Sequence, residues 1–392
     1  MRIRYTTGKN GRPVRKAVVY TRDEHHINLG DVDRDAISIV ERLKSHGHET
    51  YIVGGAVRDL MLGKKPKDFD IVSDASPSKI KKLFRNSRVI GRRFRLVHVY
   101  FGPKIFEVST FRSIKDGHTS NTFGTIEEDV LRRDFTINAL FYDPGEQVVV
   151  DYVGAMKDFR EKRIRPIIPL QVIFRDDPVR MIRAAKYAAS TGFTIPLGVR
   201  WKIKKEAPLL APVSPSRLTE EMNKIVHSPC APAIVENLER LGLYTYLQSR
   251  ASALMKDSQE FKTSYLNSLS AAAAGEQAGD GAVFSALIRD YLEDSVDWSN
   301  AGGEQYKEAL AEARTFVLPM NPPRVELEKA VRLIFKEHGI TVKRTRTPER
   351  GRGAAAQDRG GSPGTAAAGE DVPAKKRRRR RRRKTGPGVA AE

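Results

Sequence analysis

The chain has 392 residues, with 69 Lys+Arg against 48 Asp+Glu and a formal charge of +21. That length exceeds one ordinary domain and leaves room for two or three cores. A single cysteine, Cys230, excludes an intrachain disulfide and any cysteine-built zinc site. No apolar run approaches the length of a membrane span, and the basic N-terminus lacks the apolar segment of a signal peptide. A cytoplasmic protein with a polyanionic partner is the first expectation.

In chain order, residues 1–30 read as a mostly irregular basic arm. Residues 33–47 carry Ala36, Ile37, Ile39, Val40 and Leu43 at helical spacing and stop at Gly47. Glu49–Val53 reads as a strand that runs into Gly54-Gly55 and a helix over Ala56–Leu62. A strand over Asp68–Ser73 and a helix over Ser76–Phe84 follow. Arg95–Phe101 and Lys104–Thr110 read as a hairpin joined at Gly102-Pro103. Residues 33–155 therefore predict a mixed α/β unit with a small sheet. From Asp176 onward the pattern is helical: Pro178–Ser190, Pro215–Val226, Pro232–Leu241, Val283–Leu292, Glu304–Phe316 and Val325–Glu337. A low-complexity stretch near 271–282 reads as a weak linker.

The charge is uneven. Residues 341–392 hold 16 Lys+Arg against 5 Asp+Glu, about half of the whole excess. Lys375 to Lys384 are ten consecutive basic residues. Such a run has no apolar face and repels itself, so a disordered tail is expected. Its natural partner is a phosphate backbone, held less tightly as salt rises. The alternative is a solubilising or membrane-surface tail.

The sharpest chemical signal is Gly54-Gly55 followed by a helix and then Asp68-Phe69-Asp70. On a strand Asp68 and Asp70 share a face. Two adjacent carboxylates call for a hard cation, and Mg²⁺ suits an all-oxygen set. The glycine pair lets the backbone approach a phosphate, and Arg58 adds charge one turn into the helix. The set predicts a triphosphate cradle beside a two-metal site, the layout for attack of a hydroxyl on phosphorus. Glu107, between apolar Phe106 and Val108, is a third carboxylate for that site as metal ligand or neighbour. Arg112, two residues after Thr110, is a candidate for triphosphate or primer contact. His98 reads as a core or edge residue rather than a base. The bland readings are an acidic surface turn, a solvent-facing Glu107 on an edge strand, and a surface arginine.

Two further pairs stand out. Asp134 and Asn138 are four apart, which places them on one face of a helix, with Arg133 beside them. Asp177 and Arg180 are three apart on a helix entered through Pro178. Asp only accepts hydrogen bonds and Arg only donates them. Adenine and cytosine both present an amino donor next to a ring acceptor, whereas guanine and uracil present the reverse. An Asp/Arg pair reading that edge accepts ATP and CTP and rejects GTP and UTP. It does not separate adenine from cytosine. The plain alternative is a helix salt bridge between the two. Arg183, one turn on, is a further base or phosphate contact.

These segments resemble the motifs of one family. Gly54 to Asp59, Asp68 to Asp70, Arg132 to Leu140 and Arg175 to Arg180 are similar in order and content to those of class II nucleotidyltransferases. That family contains bacterial poly(A) polymerases and CCA-adding tRNA nucleotidyltransferases. The resemblance covers roughly residues 25–245. The segment Val89 to Val99, with Arg92, Arg93 and Phe94, and the long basic C-terminus resemble the poly(A) polymerases more. Pro215 to Glu221 resembles a later, mainly structural motif.

The resemblance implies an α+β protein. A polymerase-β-like head over 31–160 would be followed by a helical neck over 161–245 with the base-reading motif. A helical body over 246–340 and the basic tail over 341–392 complete it. It implies Mg²⁺ at Asp68 and Asp70, and ATP as substrate. Gly54, Gly55, Arg58, Arg112, Arg133, Asp134 and Asn138 would hold its triphosphate and ribose, and Asp177 and Arg180 its base. The expected function is template-independent polyadenylation of RNA 3′ ends by a monomer, in mRNA processing. CCA addition to tRNA from CTP and ATP is the alternative, and a non-catalytic RNA-binding protein of the same fold is the third reading.

Overall fold

The computed structural model describes residues 2–7, 13–91, 95–114, 122–274, 280–300 and 302–342. The basic run Lys375–Lys384, Arg92, Arg93 and Phe94 lie outside the described residues.

The first half is built on strands. β1 (Arg2–Thr7) and β2 (Pro13–Tyr20) pair antiparallel, then come α1 (Arg22–His25) and α2 (Arg34–Ser45). β3 (Thr50–Val53) leads into α3 (Gly55–Met61), β4 (Asp70–Ser73), α4 (Pro77–Leu83) and β5 (Ser87–Ile90). The hairpin β6 (Leu96–Phe101) and β7 (Lys104–Thr110) follows. It turns through two residues, with Gly102 at φ +56°. α5 (Ile126–Leu131), β8 (Leu140–Asp143), β9 (Val148–Asp151) and α6 (Ala155–Glu161) complete this half.

The nine strands form one sheet in the order β1-β2-β9-β8-β3-β4-β7-β6-β5. Among the described residues only β4 and β7 pair parallel, so the sheet is mixed. The stretch expected to be an irregular arm instead forms a hairpin, which extends the sheet beyond the small one the motifs predict. Its partner on the inner side is β9, more than a hundred residues away, so no local signal sets that pairing.

Alternation along the strands divides two apolar layers. Ile52, Ile71, Val97, Val108 and Tyr142 pack under α2 with Ile39, Val40 and Leu43. Val53, Val72, Phe141 and Val150 pack on the opposite face with Phe111, Ile126 and Val130.

The second half is helical: α7 (Ile173–Asp176), α8 (Val179–Thr191), α9 (Leu197–Glu206), α10 (Pro215–Val226), α11 (Ala231–Arg240), α12 (Ser249–Asp257), α13 (Gln259–Ala274), α14 (Asp280–Ser295), α15 (Gly303–Phe316) and α16 (Arg324–Glu337). The low-complexity stretch read as a linker is helix up to Ala274 and again from Asp280. Alanine is the best helix former, which accounts for helix at 271–274, while residues 275–279 of that stretch lie outside the described residues. One continuous apolar core runs from Phe135 and Ile137 through Met181, Ile225 and Leu247 to Phe335. Among the described residues no helix is long and apolar enough to cross a membrane.

Candidate active site

One transverse row of the sheet organises the acidic side. Cross-strand partners run Phe141–Val53–Asp70–Glu107–His98 over β8, β3, β4, β7 and β6. Paired residues share a face, so Asp70 and Glu107 stand side by side. Glu107 lies on an interior strand, not an edge, and its carboxylate is 3.3 Å from His98 Nε2. Asp68 precedes the strand instead of belonging to it, because β4 starts at Asp70. Even so, Phe69 is buried while Asp68 and Asp70 on either side of it are exposed.

The Asp70 carboxyl is pushed above the ordinary carboxylate range. Loss of hydration by the charged form is the main cause, followed by the charge of Glu107; Arg133 opposes the rise and Asp68 adds to it. A carboxylate set with surplus negative charge and oxygen donors alone fits Mg²⁺. Among the described residues no group of three or more His, Cys, Asp or Glu is gathered closely enough to hold an ion. Magnesium needs fewer, since one or two carboxylates plus substrate phosphates and water hold it.

Gly54 turns the chain from β3 into α3 at φ +73°, a conformation strained for any L side chain. A Cβ there would sit 3.5 Å from Asp70 Oδ2 and 4.0 Å from an Arg133 nitrogen. The turn therefore brings bare backbone between the acidic row and an arginine. The first helical bond of α3 is Arg58 N–H to Gly54 O at 3.2 Å. The amides of Gly55, Ala56 and Val57 precede it in the first turn. Arg58 donates through Nε to Asp59 Oδ1 (2.9 Å) and through a terminal nitrogen to Asn138 Oδ1 (3.0 Å).

Arg133 is held by a residue that the motifs did not single out. Asp129, fully buried on α5, accepts from Arg133 Nε (3.1 Å) and a terminal nitrogen (2.8 Å). It also accepts from Arg132 Nε (2.8 Å) and from the Arg112 backbone N–H (3.2 Å). Burial works against the Asp129 charge, but Arg133 and Arg132 bring its carboxyl below the ordinary range. Arg112 is lowered to about 10, by burial first and then by Arg132. Arg133 also donates to Asn138 O (3.1 Å) and lies over the Phe141 ring, 5.1 Å from its centroid. The spacing of Asp129 to Arg132 and Arg133, three and four residues, is a helix-neighbour signal that could have found it.

Asp134 and Asn138 meet, but not on an α-helix. Phe135 bridges to Pro166, and Thr136–Asn138 is a 3-10 turn. That tighter turn still lets Asn138 Nδ2 donate to Asp134 Oδ1 at 3.3 Å.

Asp177 and Arg180 depart from the expected helix pair. Asp177 is extended, at φ −150°, before α8 begins. The following Pro178 excludes the helical region at the preceding residue. The two side chains do not bridge each other: Arg180 is buried and donates to Ile173 O (3.2 Å), while Asp177 accepts from Arg217 of α10 (2.8 and 3.0 Å). Burial lowers the Arg180 pKa against the pull of Asp177 and Asp134. Arg217 lies in the segment read as mainly structural, forty positions from Asp177, and no spacing rule links them. Arg183, expected at base or phosphate, pairs with Asp134 Oδ2 at 2.8 Å and donates to the Tyr187 hydroxyl at 2.8 Å.

Comparison with known proteins bears on the family of the chain, and the two family models leave out residues 166–191, where Asp177, Arg180 and Arg183 lie. The family model described as "Poly A polymerase head domain" matches residues 50–165. A second, described as "Probable RNA and SrmB- binding site of polymerase A", matches 192–254. Poly(A) polymerase I of Haemophilus influenzae is 34% identical over 317 residues, 75% of this chain and 70% of the relative. The chain belongs to the bacterial poly(A) polymerase family. Poly(A) polymerase I of Escherichia coli O157:H7 is 44% identical over 229 residues, 54% of this chain and 49% of the relative. The chain thus spans about half the length of several of the family's curated members. Among solved structures, the Bacillus stearothermophilus CCA-adding enzyme in complex with CTP superposes with a TM-score of 0.52. It is 28% identical, over 78% of this chain and 82% of that one. The family's head, with its mixed sheet, is therefore followed here by helices, as expected.

Proposed function

We propose that this chain adds AMP from ATP to RNA 3′ ends without a template, releasing pyrophosphate. The observation that carries this reading is the register of Asp70 with Glu107 beside the Gly54 turn. A phosphate held at that turn lies next to both carboxylates. Magnesium bound at Asp70, with Asp68 and Glu107 as ligands or neighbours, would supply positive charge to the reacting phosphate and acidify the primer hydroxyl. The primer 3′ oxygen bonds to the α-phosphorus, the bond to the β-phosphate oxygen breaks, and the hydroxyl proton leaves to solvent.

The remaining roles follow the side-chain chemistry. Backbone amides of Gly54 and Gly55, with Arg58, Arg112 and Arg133, face the triphosphate. Asp134 and Asn138 face the ribose. Asp177 accepts from the base amino group, and Arg180 donates to the adjacent ring nitrogen. The division into arm, head, neck, body and tail belongs to the same proposal, with residues 341–392 tethering RNA by backbone charge. So does cytoplasmic action as a monomer.

The test is nucleotide choice by the purified chain on an unstructured RNA primer with Mg²⁺. Long tails with ATP, none with GTP or UTP, and loss of all activity in EDTA support the reading. A second reading, CCA addition, is favoured by the likeness to the enzyme solved with CTP. It requires ordered CTP then ATP addition to truncated tRNA and no long tail. Absence of incorporation with every nucleotide on either RNA overturns both.

A further inference from the structure

Five side chains close a ring that joins the sheet-bearing half to α8. Arg58 donates to Asn138 Oδ1 at 3.0 Å, and Asn138 Nδ2 donates to Asp134 Oδ1 at 3.3 Å. Asp134 Oδ2 lies 2.8 Å from Arg183 Nε, and another Arg183 nitrogen donates to the Tyr187 hydroxyl at 2.8 Å. The Tyr187 ring then returns to Arg58, whose guanidinium is 5.2 Å from its centroid. Arg58, Asp134 and Asn138 come from α3 and the turn before β8; Arg183 and Tyr187 come from α8.

Tyr187 is the joint of this ring. It is buried, packs edge-on against Phe135 at 6.1 Å, and has Arg183 and Lys186 within 5.7 Å as well as Arg58. Three cations around one buried ring would repel each other. Asp59, Asp134 and Glu221 each offset one of them, and the negative π face and hydroxyl acceptor add an attraction that an aliphatic side chain of that size would not supply. Arg180, the candidate base contact, lies one turn before Arg183 on the same helix.

We propose that Tyr187 is a positioning residue that fixes the spacing between Arg58 and Asn138 on one side and α8 on the other. It thereby ties recognition of the nucleotide's sugar and phosphates to recognition of its base. This rests on the adenylyl-transfer reading above. Asn138 and Tyr187 are linked only through Asp134 and Arg183, or through Arg58. Independent contacts would act separately, whereas links of one ring act together.

The experiment measures ATP and dATP incorporation by the full-length chain on an RNA primer with Mg²⁺. Tyr187→Phe keeps the ring and removes the acceptor for Arg183. It should raise KM for ATP about tenfold, the worth of a hydrogen bond to a charged group. kcat should stay within about threefold, and ATP should lose part of its advantage over dATP. Asn138→Ala alone should also raise KM, and the double variant should raise it by clearly less than the product of the two. Arg183→Lys, which keeps the charge without the fork, should repeat the Tyr187→Phe pattern. A merely structural tyrosine would lower the melting temperature and the active fraction but leave KM, sugar choice and the product rule intact. An unchanged KM in Tyr187→Phe, or effects that multiply within about twofold, overturns the inference while wild-type activity leaves adenylyl transfer standing. A wild type that incorporates nothing overturns both.

Discussion

Asp70 and Glu107 meet across adjacent strands with His98 and the charge of Arg133 as their offset, and among the described residues Asp70 makes no ion pair. The arginines assigned to the nucleotide arrive with partners in place. Arg133 rests on Asp129, Arg58 on Asp59 and Asn138, Arg180 on a backbone carbonyl and Arg183 on Asp134. The acidic side carries surplus charge for an incoming cation. The basic side is pre-organised, so its guanidinium groups hold still at the cost of sharing their donors. On the proposed reading, cations and phosphates would be received in different ways: the first would fill a deficit, while the second would compete with contacts already made.

The largest test of this contrast removes the deficit. Asp70→Ala should cut nucleotide incorporation by about a thousandfold or more, which is several kcal/mol of lost charge stabilisation. RNA binding in a filter assay should hardly change. Comparable loss of both would mean that Asp70 serves the fold rather than the chemistry.

Removing the anchor on the basic side should act on stability instead. Asp129→Asn leaves Arg132 and Arg133 facing a neutral amide in a fully buried position. Breaking a buried pair in this way costs about 3–5 kcal/mol. Urea unfolding read by circular dichroism checks it. A midpoint unchanged from wild type would show that the arginines find other partners.

Arg217→Ala sharpens the contrast at the base end. The pair with Asp177 is half-exposed, so its loss should cost stability only about 0–1 kcal/mol. It frees Asp177 to wander, and the preference for ATP over GTP, as a ratio of kcat/KM, should fall about tenfold. An unaltered ratio would assign base choice elsewhere.

How far the sequence carried depends on whether the signal is local. The turn at Gly54, the hairpin at Gly102 and helices α2, α8, α10, α11, α15 and α16 follow from glycine position and apolar period. The approach of Asp134 to Asn138 was legible although the helix was not, because a 3-10 turn keeps residues of that spacing close. β1, β2, β5, β8 and β9 were given no strand range from the sequence. Val148–Asp151 is a short apolar run flanked by turn residues, and Leu140–Asp143 starts at the last residue of a motif that was read in part as helix. The pairing of Asp70 with Glu107 needs a parallel crossover, and that of Asp177 with Arg217 needs a helix packing. Neither is encoded in spacing, so the residue types could be read from the sequence while these two partnerships could not.

The smallest predicted effect concerns the acidic side alone, and its sign is fixed by Asp70. Its carboxyl holds a proton more tightly in the folded chain than in the unfolded one, through lost hydration, Glu107 and Asp68. Such a group costs the folded state nothing while both forms are protonated, near and below the ordinary carboxylate value. The cost appears as pH rises from there through the folded pKa, and is constant above it. Asp70→Asn should therefore melt slightly above wild type at pH 7 in magnesium-free buffer, and the gain should fade as pH drops through that window. Added Mg²⁺ with ATP should raise the wild-type melting temperature more than that of the variant, because the ion stabilises the form that holds it. Should Asp70→Asn melt below wild type at pH 7, the carboxylate would be satisfied by the protein itself, and the difference between the two sides of the site would vanish.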